Sequence, residues 1–261
     1  MSPFDLHNRR ALITGSTHGI GLAMAEAIGN AGAEIIISST NQSRLTQTVQ
    51  ELQHQGLKVS GFHFDVTNEH EVEQTVNKIE QNFGPIDILI NNAGLIQRIP
   101  LIEMGVSDFR RILDVNLTGT FILSKYVAKY MIGRNQGKII NICSLMSEIG
   151  RESVGAYSAA KGGLKMLTKS MAVEWAKFNI QVNGIGPGYI KTDQTQAIHA
   201  ENKPLNDFII SRTPTGSWGI PEDIGSTAVF LSSQASNFIN GQIIYVDGGL
   251  LSSLGRPILK D

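Results

Sequence analysis

Short apolar runs alternate with longer amphipathic segments along almost all of this 261-residue chain. The apolar runs lie at 10–14, 33–38, 58–64, 86–90, 139–143, 180–185 and 241–246. The amphipathic segments include 22–30, 43–55, 69–83, 164–178 and 221–231. A run without polar alternation is typical of a strand that is buried on both faces, as in parallel sheets covered by helices. The alternation therefore predicts one α/β domain over residues 1–261, without repeats or linkers.

Composition and charge exclude several classes of protein. The net charge is −1 and no long basic run occurs, which argues against nucleic acid as a partner. No apolar run reaches about 18 residues, so no membrane span is expected. The first ten residues lack the apolar core of a signal peptide, and the lone cysteine, Cys143, excludes an internal disulfide. A cytoplasmic protein is the expectation, and the spacing of the six histidines predicts no metal site.

A glycine-rich turn joins the first predicted strand to the first predicted helix. It reads Gly15-Ser-Thr17-His18-Gly19-Ile20-Gly21, a G-x-x-x-G-x-G spacing rather than G-x-G-x-x-G. Glycines let the backbone approach a pyrophosphate closely, and the helix N-terminus supplies N–H groups and the positive end of the dipole. We therefore predict that this turn binds the phosphates of a dinucleotide. Taken alone, the heptapeptide is equally consistent with an ordinary tight turn.

The second strand ends without the carboxylate that selects NAD. In NAD-specific sites an Asp or Glu at this point binds the ribose hydroxyls, whereas residues 38–41 here are Ser-Ser-Thr-Asn. Without that acid, nothing at this point repels a 2′-phosphate, and the hydroxyls of Ser39 and Thr40, with His18 or Arg44 nearby, are available to bond it. NADP is therefore expected in preference to NAD. The asparagine at 41 is predicted to cap the next helix.

Two more strands are followed by candidate cofactor contacts. Asp65 and Val66 come after the third strand, and Asp65 is expected to reach the adenine. The fourth strand is followed by Asn91-Asn92-Ala93-Gly94, whose small side chains allow a flat ring to pack against backbone. A simple turn is the alternative interpretation, since this composition also suits one.

Asn116 lies inside an apolar helical stretch, between turns predicted at Gly105 and Gly119. Asparagine is a poor residue for the interior of a helix. Its amide is therefore predicted to hold a kink or a water molecule.

The stretch after the fifth strand carries the chemistry. Ser144 stands at the carboxyl end of the strand, where open α/β sheets place their ligands. Tyr157 and Lys161 are four residues apart in a helical pattern, so they lie on one face of the helix. A nearby positive charge favours the phenolate by about 1–3 pKa units, which brings a tyrosine closer to the range of a general base. An exposed pair without chemistry is the alternative for Tyr-x-x-x-Lys alone.

The sixth strand ends in a second glycine-containing turn. That turn reads Gly186-Pro187-Gly188-Tyr189-Ile190-Lys191-Thr192. Residues 193–212 are predicted to be polar and irregular. A substrate lid is therefore expected around 190–215, above the carboxyl ends of the strands.

Taken in order, these motifs resemble the short-chain dehydrogenase/reductase family over nearly the whole chain. The residues that carry the resemblance are Thr14-Gly15-x-x-x-Gly19-Ile20-Gly21, Asp65, Asn91-Asn92-Ala93-Gly94, Asn116, Ser144, Tyr157-x-x-x-Lys161 and Pro187-Gly188. The resemblance implies a Rossmann-like, doubly wound parallel sheet with helices on both faces, assembled as a homotetramer. It also implies an oxidoreductase that transfers a hydride to or from a nicotinamide cofactor.

The resemblance implies a role for each matched residue. Tyr157 would pass a proton to or from the substrate oxygen, Lys161 would lower the pKa of the phenol and bond the nicotinamide ribose, Ser144 would bond the reacting oxygen, and Asn116 would hold a water. The cofactor contacts that it implies are Gly15, Thr17, His18, Gly19, Ile20, Gly21, Ser39, Thr40, Asp65, Val66, Asn92, Ala93, Gly94, Pro187, Gly188, Ile190 and Thr192.

Within the family, the chain is most similar to the gluconate 5-dehydrogenase group. The similarity includes Asn141 to Ser144, residues 147–151 and Arg212-Thr-Pro214. It implies D-gluconate and 5-keto-D-gluconate as the substrate pair. Arg98 or Arg151 would bind the carboxylate, and Glu148 would bond sugar hydroxyls.

Other activities remain open at this point. Residues 174–177 and 192–196 are also similar to 2-deoxy-D-gluconate 3-dehydrogenases, which leaves the oxidised carbon open. A 3-oxoacyl-carrier-protein reductase would need a basic docking patch, for which only Lys125 and Lys129 are candidates. A regulator that senses a dinucleotide without turnover would not need Ser144, Tyr157 and Lys161 together.

Overall fold

A computed structural model describes residues 2–255 of the chain. Within that range seven strands form one parallel sheet in the order β3-β2-β1-β4-β5-β6-β7. The strands are β1 Arg10–Ile13, β2 Glu34–Ser39, β3 Val59–His63, β4 Ile88–Asn91, β5 Gly137–Ile142, β6 Ile180–Pro187 and β7 Ile243–Val246. The order reverses between β1 and β4, so this is the doubly wound, Rossmann-like sheet that the sequence predicts.

Nine α-helices lie among the described residues, and six of them pack against the sheet in two layers. The helices are α1 Gly19–Asn30, α2 Gln42–His54, α3 Glu69–Asn82, α4 Val106–Leu113, α5 Gly119–Arg134, α6 Gly155–Trp175, α7 Gln196–His199, α8 Lys203–Arg212 and α9 Pro221–Ser232. Helices α1, α2 and α9 bury apolar side chains against one face, and α3, α5 and α6 against the other. Helices therefore cover both faces, as predicted.

Strand register explains why the central runs are apolar throughout. Neighbouring strands align one row of side chains on each face, because successive side chains in a strand point to opposite faces. One row is Ile37, Ile13, Ile90 and Ile140; the other is Ile36, Leu12, Leu89 and Ile139. All eight side chains are buried. Full burial on two faces leaves no position for a polar alternation.

Predicted boundaries mostly lie within a few residues of the observed ones, but Gly119 is a correction. The chain passes from α4 through a π-helical turn, Asp114–Thr118, directly into α5, so no turn breaks the helix at Gly119. The glycine is needed for packing, since a Cβ there would lie 2.8 Å from Cγ2 of Val66. Gly105 does precede a helix, as the N-cap of α4.

The segment predicted to be irregular, 193–212, is a second correction. It contains a 3₁₀ turn, Asp193–Thr195, followed by α7 and α8. The side chain of Asn202 accepts a hydrogen bond from Leu205 N at 3.1 Å and so caps α8. The apolar side chains are few but cluster, because Ile198 and Ile209 pack with Trp218. The polar composition of the segment therefore did not indicate its two short helices.

The predicted helix cap at Asn41 is present, with its Oδ1 accepting from Arg44 N at 3.0 Å. In the part of the chain that the structure describes, no helix has the length and apolar character needed to cross a membrane.

Candidate active site

A cavity of about 260 Å³ opens where β1, β4, β5 and β6 end. This is the crevice at the point where the strand order reverses, the usual ligand position in such sheets. The predicted site residues that line it are Gly15, His18, Gly19, Ile20, Gly21, Asn92, Ala93, Gly94, Arg98, Asn116, Ser144, Arg151, Tyr157, Lys161, Pro187, Gly188, Ile190 and Thr192. The fold therefore brings together residues from six separate stretches of sequence.

The glycine turn has the geometry that a pyrophosphate needs. Gly15 and Gly19 adopt left-handed backbone with φ of 58° and 55°, which a larger side chain would strain. A Cβ at Gly21 would lie 2.4 Å from the carbonyl oxygen of Gly15. His18, the N-cap of α1, makes no side-chain bond to the first helical turn. The N–H groups of that turn are thus left for an anion, and the residues present fit a dinucleotide.

Asn92 and Thr14 clamp the glycine turn to the end of β4. Nδ2 of Asn92 donates to the carbonyl oxygens of Thr14 and Gly15, both at 2.9 Å. Oγ1 of Thr14 accepts from the N–H groups of Asn92 and Ala93, both at 3.0 Å. Asn92 was predicted as a cofactor contact, but the role of Thr14 was missed. These four bonds hold the turn in place before any ligand arrives.

Ser144, Tyr157 and Lys161 meet at the end of β5. Oγ of Ser144 accepts from Met146 N at 3.1 Å and begins a 3₁₀ turn, Leu145–Ser147. Nζ of Lys161 donates to the carbonyl oxygen of Ile142 at 2.6 Å and lies 5.5 Å from the centroid of the Tyr157 ring. Lys161 is buried, whereas Tyr157 is half-buried and faces the cavity. The predicted triad is therefore assembled in one place.

Burial dominates the electrostatics of this triad. It raises the pKa of Tyr157, while the neighbouring Ser144 hydroxyl and the Arg98 guanidinium act in the lowering direction. It also lowers the pKa of Lys161 to about 8. The net shift at Tyr157 is thus opposite to the expected lowering by Lys161. The reason is that a phenolate in this cleft loses hydration, and the ammonium is directed at Ile142.

Asn116 lies in the π-helical turn and is fully buried. Its Nδ2 donates to the carbonyl oxygens of Leu95 at 2.7 Å and Ile112 at 2.8 Å, and its Oδ1 accepts from Leu95 N at 3.3 Å. The predicted kink is therefore present as the π turn. The amide fixes the segment that follows β4 against the helix, next to Gly94.

Two arginines belong to the cavity wall. Arg98 and Arg151 both line it, and burial and the charge of Arg151 lower the pKa of Arg98. Nη1 of Arg151 donates to the Tyr189 hydroxyl at 3.2 Å. Among residues 2–255 neither guanidinium forms an ion pair with a carboxylate. Two uncompensated cations in the same cavity as Tyr157 form a subsite suited to an anionic substrate group.

Glu148, predicted to bond sugar hydroxyls, does not line this cavity. Its carboxylate accepts from Lys165 Nζ and from the Tyr245 hydroxyl, each at 2.6 Å. These bonds lower the pKa of Glu148 and keep it ionised in a contact between α6 and β7. Its acceptor oxygens are thus engaged within the protein, and the predicted substrate contact does not fit the structure.

Some predicted cofactor contacts lie beyond the cavity, along the ends of β2 and β3. Ser39 ends β2, and its Oγ accepts from Asn41 N at 3.1 Å. Oδ1 of Asp65 accepts from the N–H and the hydroxyl of Thr67, at 2.9 and 2.8 Å. The complete set outside the cavity is Thr17, Ser39, Thr40, Asp65 and Val66. β2 neighbours β1, so Ser39 and Thr40 continue the carboxyl edge away from the glycine turn.

The predicted lid contributes to the cavity wall. Gln194, Thr195 and Ile198 line the cavity together with the preceding turn. Behind them Trp218 packs against the Tyr189 ring, with the centroids 5.3 Å apart, and donates from Nε1 to Asn206 Oδ1 at 2.8 Å. The segment thus closes one side of the site; its opening as a lid stays a prediction.

A buried polar network behind the site was missed. Nδ2 of Asn91 donates to Ser124 Oγ and Asn141 Oδ1, and Nδ2 of Asn141 donates to Thr168 Oγ1, all at 2.9 Å. All four side chains are buried. The signal was one asparagine directly after an apolar run, Asn91, and another inside the next run, Asn141. A buried amide costs free energy unless it is bonded.

Comparison with known proteins agrees with this geometry. The family described as enoyl-(acyl carrier protein) reductase matches residues 15–251. A 2-dehydro-3-deoxy-D-gluconate 5-dehydrogenase of Formosa agariphila is 56% identical, with 97% of each chain covered. A 5-keto-D-gluconate 5-reductase of Escherichia coli is 44% identical, covering 95% of this chain and 97% of the relative.

Solved structures agree as well. A gluconate 5-dehydrogenase from Burkholderia cenocepacia, in complex with NADP and tartrate, superposes with a TM-score of 0.94 at 41% identity, over 97% of this chain and 98% of the other. The chain belongs to the short-chain dehydrogenase/reductase family and is an oxidoreductase that uses a nicotinamide cofactor.

Proposed function

We propose that this enzyme interconverts a hydroxyl and a ketone at carbon 5 of a six-carbon sugar acid, with D-gluconate and 5-keto-D-gluconate as the substrate pair. The observation that carries the proposal is the position of Arg98 and Arg151 in the same cavity as Tyr157, without carboxylate partners in the described chain. A guanidinium binds a carboxylate through two parallel hydrogen bonds. The far end of the sugar acid then reaches the tyrosine.

The side chains divide the reaction among them. Tyr157 moves the proton at the substrate oxygen, and Ser144 donates a hydrogen bond to that oxygen as its negative charge develops. Lys161 supplies positive charge next to the ring and would bond the nicotinamide ribose of a bound cofactor. Asn116 holds the wall of the site. Its Oδ1 accepts one bond from Leu95 N and has a second lone pair that would hold a water for proton exchange. A bound dinucleotide would supply or accept the hydride at its nicotinamide ring, and the glycine turn would hold its pyrophosphate.

NADP is the proposed cofactor in preference to NAD. Support comes from the end of β2, where Ser39 and Thr40 stand in place of an acid. The hydroxyls are suited to bond a 2′-phosphate, and no carboxylate there repels it. Three of the matched solved structures, from B. cenocepacia, Beutenbergia cavernae and Agrobacterium tumefaciens, are named as holding NADP.

A second candidate is oxidation of 2-dehydro-3-deoxy-D-gluconate at carbon 5. The relatives from F. agariphila and Bacillus subtilis, at 56% and 43% identity, carry that activity in their names. An acid with a ketone at carbon 2 presents two neighbouring acceptor groups, and two guanidiniums face the cavity. The 2-deoxy-D-gluconate alternative, with oxidation at carbon 3, has the support of one matched structure that is named for it.

Support for acyl-carrier docking is weak, because Lys125 is paired with Glu69 at 2.9 Å.

The proposed assembly is a homotetramer. Support for it comes from apolar side chains exposed on α5 and α6, among them Phe121, Met166 and Val173. The lone cysteine, Cys143, is buried and unbridged, which suits the proposed cytoplasmic location.

The test is a set of initial rates with NADP⁺ and NAD⁺ against D-gluconate, 2-dehydro-3-deoxy-D-gluconate and 2-deoxy-D-gluconate. The same rates are measured for Arg98→Met, Arg151→Met and the exposed control Arg110→Met. Loss of a charged contact to the carboxylate lowers kcat/KM by about 10- to 100-fold. We expect that loss in Arg98→Met and Arg151→Met but not in the control. Equal kcat/KM in all four proteins would refute the carboxylate subsite, and the best of the three acids identifies the substrate.

A further inference from the structure

A second cavity, of about 400 Å³, lies at the opposite edge of the sheet, where β1, β4, β5 and β6 begin. It is lined mainly by polar side chains, and it shares no residue with the first cavity. Its volume is within the usual range for small-molecule sites, about 300–1,000 Å³. We call it the amino-edge site and define it by Arg9, Gln136, Lys138, Gln181 and Ser232.

Lys138 places an uncompensated positive charge in this site. Its Nζ donates to Asn237 Oδ1 at 2.9 Å and to Ser236 Oγ at 3.3 Å, both neutral groups. Within residues 2–255 it forms no ion pair with a carboxylate. Burial and the charge of Arg9 lower the pKa of Lys138 to about 8. An ammonium with this environment gains from an anion that approaches it.

The carboxylates around the site already have partners. Asp87 accepts from Arg10 N at 2.9 Å and pairs with Arg9 Nη1 at 3.4 Å, and Asp5 pairs with His7. Arg9 is further held by the Gln136 amide. In the amide orientation that satisfies both groups, its oxygen lies 2.6 and 2.7 Å from the two terminal nitrogens of Arg9. Neither acid is therefore directed at Lys138.

Ser232 supplies a second, independent observation. Its side chain is 5% exposed and lines the site, yet its hydroxyl has no hydrogen-bond partner among the described residues. The hydroxyls of two neighbouring serines are bonded by contrast, since Ser233 Oγ donates to Phe230 O at 2.8 Å and Ser236 Oγ donates to Leu231 O at 2.9 Å. A buried hydroxyl without a partner is rare in a protein, and a ligand in the site that accepted its hydrogen bond would remove the cost of leaving it unbonded.

We propose that the amino-edge site binds a small oxyanion, a phosphate or a carboxylate, through Lys138 and Ser232. Oxyanions accept several hydrogen bonds at once, and a charge-assisted bond to an ammonium is about twice as strong as a neutral one. The amide of Gln181 lies at the same site and can bond a hydroxyl that the ligand carries. This binding does not depend on the sugar-acid reaction.

The test measures binding of inorganic phosphate and of malonate to the full-length protein by isothermal titration calorimetry. Saturating NADP⁺ fills the phosphate contacts of the first cavity. The double variant Arg98→Met/Arg151→Met, which should retain binding, separates the proposed carboxylate subsite there from the amino-edge site. The variants are Lys138→Met, Lys138→Arg and Ser232→Ala, with Lys58→Met as an exposed control. Thermal unfolding of each variant verifies that it is folded.

We expect one or both anions to bind the wild type with Kd below about 10 mM. Lys138→Met should weaken binding at least about 10-fold and Ser232→Ala about 3- to 10-fold, whereas Lys138→Arg and Lys58→Met should retain it. Binding of phosphate alone identifies a phosphate ligand, and binding of malonate alone a carboxylate. No binding of either anion by the wild type, or unchanged binding by folded Lys138→Met and Ser232→Ala, overturns the proposal.

Discussion

Replacing the buried Lys161 by methionine should abolish turnover and make the fold more stable. Lys161 is 4% exposed, and burial lowers its pKa from 10.5 to about 8. At neutral pH that shift corresponds to about 3 kcal/mol of destabilisation by the charged form. The variant also loses the hydrogen bond to Ile142 O, worth about 1 kcal/mol. The net gain is about 2 kcal/mol, or about 4–8 °C in Tm for a chain of this size.

The stability difference between the variant and the wild type should depend on pH, which a change in core packing alone would not produce. Because the native pKa of Lys161 is lower than the unfolded one, the folded protein binds fewer protons between about pH 8 and 10.5. Wild-type stability therefore rises with pH across that window relative to the variant, which has no such group. Below pH 8 the variant is more stable than the wild type by the full amount of about 2 kcal/mol. At about pH 9.5 this difference in the free energy of unfolding has narrowed by about 2 kcal/mol, to near zero.

The assay is guanidinium chloride unfolding of both proteins at pH 7 and at about pH 9.5. Lys169→Met, an exposed position on the same helix, is the matched control and should change stability by less than about 0.5 kcal/mol at either pH. A Lys161→Met protein that is less stable than the wild type at pH 7, or a difference that does not vary with pH, would refute the reasoning. Either result would mean that the ammonium is stabilised in place rather than held there against a desolvation penalty.

Two further predictions test the turn and the buried network. Gly21→Ala should raise the Kd for NADP⁺ at least about 10-fold by calorimetry, because its Cβ would meet Gly15 O at 2.4 Å; Gly133→Ala, with nothing within 4 Å, should leave the Kd unchanged. Asn141→Ala should lower the free energy of unfolding by about 2–4 kcal/mol in urea, since it removes two buried hydrogen bonds and leaves a cavity. A smaller loss than about 1 kcal/mol would show that the network relaxes around the gap.

The fold and the ring of site residues follow from sequence because both depend on short-range patterns. A run such as 86–90 is apolar regardless of the rest of the chain, and it therefore predicts a strand. Ligands bind at the carboxyl ends of such strands, so Ser144 and Asn92 could be assigned to the site before their neighbours in space were known. The prediction that 193–212 is irregular was wrong because it, too, used only the local composition. The helices of this segment are held by a few apolar contacts around Trp218, and composition averages such contacts away.

The sequence could not predict which partner each polar side chain bonds. Glu148 lies close to Ser144 in the chain, yet its carboxylate bonds Lys165 and Tyr245, and the latter is 97 residues away. The same limit applies to the pKa of Tyr157. Spacing indicated a nearby cation, but burial decides the net direction, and burial is a property of the assembled cleft.

The buried network around Asn141 explains how the unfavourable charge of Lys161 is kept in position. Lys161 and Thr168 lie seven residues apart on α6 and so face the same side of the helix, toward β5. Thr168 accepts from Asn141 of β5 at 2.9 Å, and Lys161 donates to Ile142, the next residue of that strand, at 2.6 Å. A slip of the helix along the strand would break both bonds. The amide of Asn141 therefore fixes the register that aims the ammonium. The stability that Lys161 forfeits by its burial is offset two turns further along the same helix, by the bond to Thr168.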